Sequence, residues 1–180
     1  MKIIVLDRDG VINQDSDDYI RSAEEFIPIE GSVAAIARLC AADYRVVVAT
    51  NQSGLAREYF SEEQLSEIHH LLCSMVEKAG GLIDGIFYCP HHPEKGCACR
   101  KPRTGLLEQI EREYSCDLQG SYFIGDSLKD IQAAQAFGCI PVLVRTGKGL
   151  LTEKYLMTES DVLIPVHDNL ESAVSNILGL

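Results

Sequence analysis

Short runs of aliphatic and aromatic residues recur along the chain and are separated by stretches with helical periodicity. Within each run the apolar residues do not alternate with polar ones, which is typical of parallel strands covered on both faces. Five runs are of this kind, at residues 2–6, 45–49, 84–89, 121–124 and 141–144. The pattern predicts a further strand near residues 162–165.

The stretches between these runs predict helices. The most regular covers residues 61–79, which begin with SEEQ, a capping-box signature, and stop at Gly80-Gly81. Its apolar side chains recur on one face, at Leu65, Ile68, Leu72, Met75 and Val76. Similar patterns predict helices near residues 32–42, 105–115, 128–137 and 168–178.

This alternation of strands and helices predicts an α/β fold, a doubly wound, Rossmann-like, mainly parallel sheet with helices on both faces. With 180 residues and 46% hydrophobic content, residues 1–180 are expected to form a single domain. In such sheets, ligands bind beyond the carboxyl ends of the strands, where the strand order reverses. Polar residues that directly follow a strand are therefore the candidates for chemistry.

Composition narrows the range of partners. A formal net charge of -11 argues against a nucleic-acid or anionic-membrane surface, because phosphates would be repelled. The N-terminal apolar run meets charge after six residues, and no apolar run approaches about 18 residues, so no signal peptide or membrane span is expected. We expect a cytoplasmic monomer that acts on a small molecule, with no nucleic-acid or membrane partner.

Two carboxylates follow the first predicted strand, in D7-R-D9-G10. The Asp7 carboxylate can attack phosphorus and form an aspartyl phosphate, while Asp9 can protonate the leaving oxygen and later activate water. A third carboxylate, Asp126 in FIGDSLKD, would complete a Mg²⁺ site, because that ion prefers oxygen ligands. An acidic loop without chemistry is the alternative for DRDG alone, but it does not explain Asp126 after a second strand.

A second set of polar residues has the spacing of metal ligands, C-x-H-x5-C-x-C. Three thiolates and an imidazole make a closed tetrahedral zinc site, which is structural rather than catalytic. Zinc would order the loop at residues 89–103, which is rich in Pro and Gly. Incidental buried thiols are the alternative, and His92 is a competing ligand. The four candidates are Cys89, His91, Cys97 and Cys99.

The motifs at the strand ends resemble, in their order, those of the haloacid dehalogenase-like phosphatases. These motifs are D7-R-D9-G10, Thr50 in VVVATNQSG, Lys101, and G125-D126-S-L-K-D130. The segments LDRDGVIN, TNQSG, YCPHHP, CACRKP and VRTGKG are similar to the branch that contains heptose-bisphosphate and histidinol-phosphate phosphatases. The resemblance covers residues 1 to about 149.

The resemblance implies a role for each matched residue. Asp7 would be the nucleophile and Asp9 the general acid/base, and Mg²⁺ would be bound by both and by Asp126. Thr50 and Lys101 would hold the transferring phosphoryl group, because a hydroxyl and an ammonium aimed at its oxygens stabilise the transition state. The histidine two residues after the first cysteine, His91, would be the zinc ligand rather than His92.

The resemblance also implies an activity. We expect a Mg²⁺-dependent phosphoric monoester hydrolase for the C7 phosphate of a heptose 1,7-bisphosphate, in the synthesis of nucleotide-activated heptose for lipopolysaccharide. Histidinol phosphate or another small sugar phosphate is the alternative substrate, and a non-catalytic binding module is the alternative from another class. The short chain leaves no room for a separate cap domain, so local loops should contact the substrate. Predicted contacts are Asp15, Tyr19, Asn51, Gln52, Ser53 and Arg100.

The segment S127-L-K-D130 also forms a capping box, so Asp130 is predicted to be structural or to support the site indirectly. Some relatives carry lysine at position 127, where this chain has Ser127, so the resemblance leaves open whether residue 127 contacts the substrate.

Overall fold

This computed structural model describes residues 2–159 and 163–180. The strands in this part of the chain all belong to one sheet. Their bounds are β1 Lys2–Leu6, β2 Tyr44–Asn51, β3 Gly85–Cys89, β4 Tyr122–Gly125, β5 Ile140–Val144 and β6 Val166–His167. Every neighbouring pair is parallel, and the order across the sheet is β3-β2-β1-β4-β5-β6. The predicted parallel sheet is confirmed.

Helices cover both faces of this sheet. Their bounds are α1 Ser32–Ala41, α2 Glu62–Lys78, α3 Gly105–Tyr114, α4 Leu128–Phe137, α5 Gly149–Glu159 and α6 Leu170–Leu178. Buried side chains of α1, α2 and α6 share one apolar cluster with the sheet, and those of α3 and α4 share the other. The doubly wound arrangement is therefore confirmed.

The strand β1 shows why the apolar runs do not alternate with polar residues. Ile4 and Leu6 pack into the cluster on one face, whereas Ile3 and Val5 pack into the cluster on the other. A strand covered by helices on both faces needs apolar side chains at every position.

The C-terminal part departs from the predictions in two places. A strand was predicted near residues 162–165. Residues 163–165 do not form one, and residue 162 lies outside the described residues. The strand that does form is Val166–His167. Pro165 has no N–H to donate, and its carbonyl instead accepts from the Leu143 amide at 2.9 Å, just before pairing begins. The helix α5 was not predicted, because its apolar residues lie all around it and several remain exposed, including Leu150 and Leu151.

The strand order reverses between β1 and β4, which are paired through Leu6 and Ile124. In the described parts of the chain, the connections at this edge contain short 3-10 turns, Ala23–Glu25 and Pro93–Lys95, but no second sheet or separate cap. None of the described helices is both long and apolar enough to cross a membrane. The assignment of residues 1–180 to one domain stays a prediction.

Candidate active site

Three carboxylates meet where the strand order reverses. Asp7 directly follows β1 and Asp126 directly follows β4, so the pairing of these strands brings both residues to the same edge. Asp130 joins them from the first turn of α4. One oxygen from each of the three carboxylates lies within 4.8 Å of the others, which is a spacing that a divalent cation can bridge.

The side chain of Lys101 is buried beside these carboxylates, with 3% of its surface exposed. Its Nζ lies 2.9 Å from Asp7 Oδ1 and 2.6 Å from Asp130 Oδ1, and donates to the Ala49 carbonyl at 2.7 Å. Burial disfavours the ammonium, but the carboxylates of Asp130 and Asp7 outweigh it and raise the pKa of Lys101 above its ordinary value. The site therefore contains a permanent cation.

One lysine does not neutralise three carboxylates. Burial, together with the negative charge of Asp130, raises the pKa of Asp7 to about 7 despite the contact with Lys101. Burial and the charges of Asp7 and Asp130 raise the pKa of Asp126 to about 8. A bound divalent cation would let both carboxylates ionise at neutral pH, so this set of residues fits such an ion.

The end of β2 holds Lys101 in place. The side-chain amide of Asn51 donates to the main-chain carbonyl of Lys101 at 3.2 Å and accepts from its main-chain N–H at 3.1 Å. This reciprocal pair fixes the backbone of a loop residue against a central strand. Asn51 was predicted to bind substrate, and the structure adds this supporting contact.

The carboxylate of Asp9 does not belong to the cluster of Asp7, Asp126 and Asp130. Both of its oxygens accept hydrogen bonds from Arg8, and they also accept from Asn13 and Gln52 at 2.9 Å each. Burial alone would raise the pKa of Asp9, but the Arg8 guanidinium and these hydrogen bonds lower it. Its roles as acid/base and metal ligand stay predictions.

Asp130 has two functions in the structure. Its Oδ2 accepts from the main-chain N–H of Ser127 at 3.0 Å and from the Ser127 hydroxyl at 2.6 Å, which caps the start of α4 as predicted. Its Oδ1 forms the ion pair with Lys101. The sequence pattern indicated the cap, but the ion pair depends on the approach of the loop at residues 89–103, which local spacing does not reveal.

A cavity of about 530 Å³ opens in front of the three carboxylates. Asp15 in its wall lies 3.2 Å from Lys148 Nζ, and the Tyr19 hydroxyl lies 3.5 Å from Ser53 Oγ. The cavity is lined by all the residues predicted to contact substrate, which are Asp15, Tyr19, Asn51, Gln52, Ser53 and Arg100. Each substrate contact itself stays a prediction.

Two lysines in the wall of this cavity, Lys129 and Lys148, were not predicted. Burial and the nearby cations Arg100 and Lys148 lower the pKa of Lys129. Arg100 Nη1 is buried without a hydrogen-bond partner among the described residues. The lining of the cavity therefore includes these three basic side chains in addition to Lys101.

The start of α5 also belongs to the site. The main-chain N–H of Lys148 donates to Asp126 Oδ2 at 2.8 Å, and the Thr152 hydroxyl donates to the Asp126 carbonyl at 2.9 Å. Gly10 has a φ of 83°, and a Cβ there would collide with the Asp126 carboxylate.

A second cluster ties the loop after β3 to the end of that strand. Cys97 Sγ lies 3.5 Å from Cys89 Sγ and 3.6 Å from Cys99 Sγ, and His91 Nδ1 lies 3.3 Å from Cys99 Sγ. Tetrahedral zinc with Zn–S bonds of about 2.3 Å separates its sulfurs by roughly 3.8 Å, so the spacing fits. His92 instead accepts from the Glu94 amide at 3.4 Å and lies outside the cluster.

Comparison with known proteins agrees with this geometry. A HAD-hydrolase-like family profile matches residues 98–170. The chain is 48% identical to D-glycero-beta-D-manno-heptose-1,7-bisphosphate 7-phosphatase of Pseudomonas aeruginosa over 98% of this chain and 97% of that protein. It is 50% identical to the enzyme of the same name from Neisseria meningitidis serogroup A, over 84% and 81% of the two chains.

Solved structures agree as well. The crystal structure of D,D-heptose 1,7-bisphosphate phosphatase from B. bronchiseptica, complexed with magnesium and phosphate, superposes with a TM-score of 0.93 at 46% identity over 99% of both chains. The phosphatase of the same name from Burkholderia thailandensis gives a TM-score of 0.77 at 36% identity, over 100% of both chains. The chain therefore belongs to the D-glycero-beta-D-manno-heptose-1,7-bisphosphate 7-phosphatase family of haloacid dehalogenase-like hydrolases.

Proposed function

We propose that this protein hydrolyses the C7 phosphate of D-glycero-beta-D-manno-heptose 1,7-bisphosphate through an aspartyl phosphate on Asp7. One observation carries the proposal. Lys101 contacts the carboxylate of Asp7, which forms a cluster with the carboxylates of Asp126 and Asp130. This set supplies a nucleophile, a fixed cation and the ligands for a second cation. The relatives named above support the choice of substrate.

In the first step, a carboxylate oxygen of Asp7 attacks the phosphorus and the bond to the sugar oxygen breaks. Asp7 Oδ1 already accepts from Lys101 Nζ and from the Arg8 amide at 2.8 Å, so Oδ2 is the oxygen proposed to attack. Lys101 stabilises charge on the transferring group. Thr50 Oγ1 accepts from the Gln52 side chain at 2.9 Å, which leaves its own hydrogen to donate to a phosphoryl oxygen.

Asp9 is proposed to move the protons. Asp9 first takes up a proton from solvent when the anionic phosphate binds beside it, because a nearby negative charge favours the neutral acid. It donates this proton to the sugar oxygen as that oxygen leaves, and the sugar monophosphate then departs. In the second step Asp9 takes a proton from water, which attacks the phosphorus, and inorganic phosphate is released with the Asp7 carboxylate restored. Asp9 therefore acts as an acid in the first step and as a base in the second.

Mg²⁺, held by Asp7 and Asp126, would neutralise charge on the phosphoryl group and on the carboxylates around it. Asp9 is included as a proposed ligand on the strength of the family resemblance alone. Zn²⁺ in the cluster of cysteines and His91 would be structural, because all four ligands come from the protein and no position stays open. It would fix the loop that carries Arg100 and Lys101.

The cations at the cavity favour a substrate with a second anionic group. Arg100, Lys129 and Lys148 line the cavity together. The C1 phosphate of the heptose bisphosphate would meet these cations, whereas the amine of histidinol phosphate would be repelled by them. We further propose that the chain acts as a monomer in the cytoplasm.

The test is a set of phosphatase assays with Mg²⁺ on the heptose 1,7-bisphosphate, histidinol phosphate and a sugar monophosphate. We expect kcat/KM to be highest for the bisphosphate, with phosphate released from C7. The aspartyl phosphate should be trapped by acid quenching and found on the peptide that contains Asp7. Faster hydrolysis of histidinol phosphate would refute the substrate, and absence of the trapped intermediate on Asp7 would refute the mechanism.

A further inference from the structure

A charged side chain lies fully buried behind the active site. Arg8, between the two aspartates of the first motif, has 0% of its surface exposed. An arginine keeps its charge at any ordinary pH, so its burial requires partners for that charge. Each of its guanidinium nitrogens has such a partner, either in Asp9 or in His69.

On one side, the guanidinium holds the carboxylate of Asp9. Arg8 Nε and Nη2 lie 3.0 Å and 2.9 Å from Asp9 Oδ1, and Nη2 lies 3.0 Å from Oδ2. The Asn13 amide adds a donor to Oδ1, and the Gln52 amide adds one to Oδ2. Several bonds from three side chains therefore fix the direction in which this carboxylate points.

On its other side, the guanidinium contacts helix α2. Arg8 Nη1 lies 3.3 Å from His69 Nε2. Because arginine has donors only, His69 Nε2 must accept this hydrogen bond, so the ring is neutral and carries its proton on Nδ1. Burial and the Arg8 cation lower the pKa of His69 to about 3, in agreement with a neutral ring.

The histidine is itself held by its surroundings. Its ring packs against the Tyr88 ring with centroids 5.8 Å apart, and the Tyr88 hydroxyl donates to Glu62 at 2.8 Å. Tyr88 belongs to β3 and Glu62 to the first turn of α2, so the imidazole sits between two fixed elements. A chain of contacts thus runs from α2 through His69 and Arg8 to Asp9.

We propose that Arg8 and His69 are positioning residues for the acid/base carboxylate of Asp9. His69 fixes the guanidinium, and the guanidinium fixes the carboxylate relative to the leaving oxygen and the attacking water. This inference rests on the proposed function, in which Asp9 transfers both protons. Neither Arg8 nor His69 lines the cavity, so both are proposed to act through Asp9 and not on the substrate directly.

The test compares His69→Leu, which removes the acceptor, with His69→Gln, whose side-chain oxygen can replace it. The control is His70→Leu at the next position of α2, where the side chain is exposed and its Nδ1 lies near the Ser66 carbonyl. His69→Leu should lower kcat for a sugar phosphate by about 10- to 100-fold, a smaller loss than the roughly 10²- to 10⁴-fold that acid/base catalysis supplies in full, because Asp9 itself remains. His69→Gln should recover most of this loss, and His70→Leu should match the parent protein.

A second substrate separates positioning from general damage. The leaving group of p-nitrophenyl phosphate departs without a proton, so the first step needs no acid, whereas hydrolysis of the aspartyl phosphate still needs Asp9 as a base. His69→Leu should therefore release about one equivalent of nitrophenolate per enzyme in a rapid burst, followed by slow turnover. Arg8→Lys, which keeps the charge but loses the planar fork, should give the same burst if it folds.

Three outcomes would overturn the proposal. If His69→Leu is as active as His70→Leu on the sugar phosphate, or if its burst and steady-state rates fall equally, His69 does not act through Asp9. If Asp9→Asn keeps full activity, the acid/base assignment fails, and the positioning role fails with it. Inactive Asp9→Asn beside fully active His69→Leu would refute positioning alone.

Discussion

Substitution of Arg100 by alanine tests how the cavity selects its substrate. The Arg100 side chain lines the cavity, and its Nη1 has no hydrogen-bond partner among the described residues, so the guanidinium still has a donor for a ligand. A hydrogen bond to a charged group contributes about 1.5–3 kcal/mol. Loss of one such bond to the C1 phosphate should therefore lower kcat/KM for the heptose bisphosphate by about 10- to 150-fold.

The assay measures kcat/KM for two substrates, the heptose 1,7-bisphosphate and the corresponding 7-phosphate, which has no second anion. Arg100→Ala should affect the bisphosphate by the amount given above and the monophosphate by less than about threefold. The matched control is Arg112→Ala in α3, because it removes the same charge from an exposed position. This control should change neither substrate.

The reasoning is refuted if Arg100→Ala slows both substrates equally. In that case Arg100 would act on the transferring group or on the neighbouring Lys101, and not on the distal end of the substrate. An equal loss in the control variant would instead indicate a long-range effect of net charge.

Further predictions concern the nucleophile and the metals. Asp7→Asn should abolish turnover without changing the far-UV circular dichroism, because an amide cannot attack phosphorus; activity without deamidation would exclude Asp7 as the nucleophile. EDTA should stop catalysis, and added Mg²⁺ should restore it; full activity in EDTA would contradict the metal requirement. Elemental analysis should find about one zinc per chain, and less in Cys97→Ser; a 97–99 disulfide in a fully active protein would contradict this. Burial raises the pKa of Asp7 to about 7 and that of Asp126 to about 8, so the metal-free folded protein binds more protons than the unfolded chain. Its Tm should therefore fall as the pH rises from about 4 to 8. A Tm that stays constant in this window, or a Mg²⁺-induced rise in Tm that is no larger at pH 8 than at pH 5, would contradict these shifts.

The central strands could be predicted because helices cover them on both faces. The consecutive apolar side chains at residues 3–6 of β1 and 122–124 of β4 reflect that burial, and the polar residues directly after these strands lie at the edge where ligands bind in such sheets. Prediction failed where burial is partial. The helix α5 lacks a one-sided apolar stripe, and β6 has two residues, which is too short for a periodic signal.

The site was predicted unevenly for a related physical reason. Residues at strand ends, such as Asp7 and Asp126, could be found because the topology alone brings them together. The ion pair of Asp130 with Lys101 and the contact of Arg8 with His69 join segments far apart in the chain. Such contacts depend on side-chain directions in the folded state, and a single sequence contains no local signal for them.

The segment Thr50-Asn51-Gln52 shows how one strand end can organise several groups at once. Gln52 donates to both Asp9 and Thr50, and Asn51 clamps the backbone of Lys101. The side chains proposed to hold the phosphoryl group and to move its protons are thereby tied to β2, which lies beside β1 in the sheet. Because β1 positions Asp7, the spacing between the proposed nucleophile, the proposed acid/base and Lys101 follows from the register of two buried strands. The geometry of the proposed catalytic residues therefore depends mainly on the sheet, which also holds the backbone of Lys101 in the loop at residues 89–103.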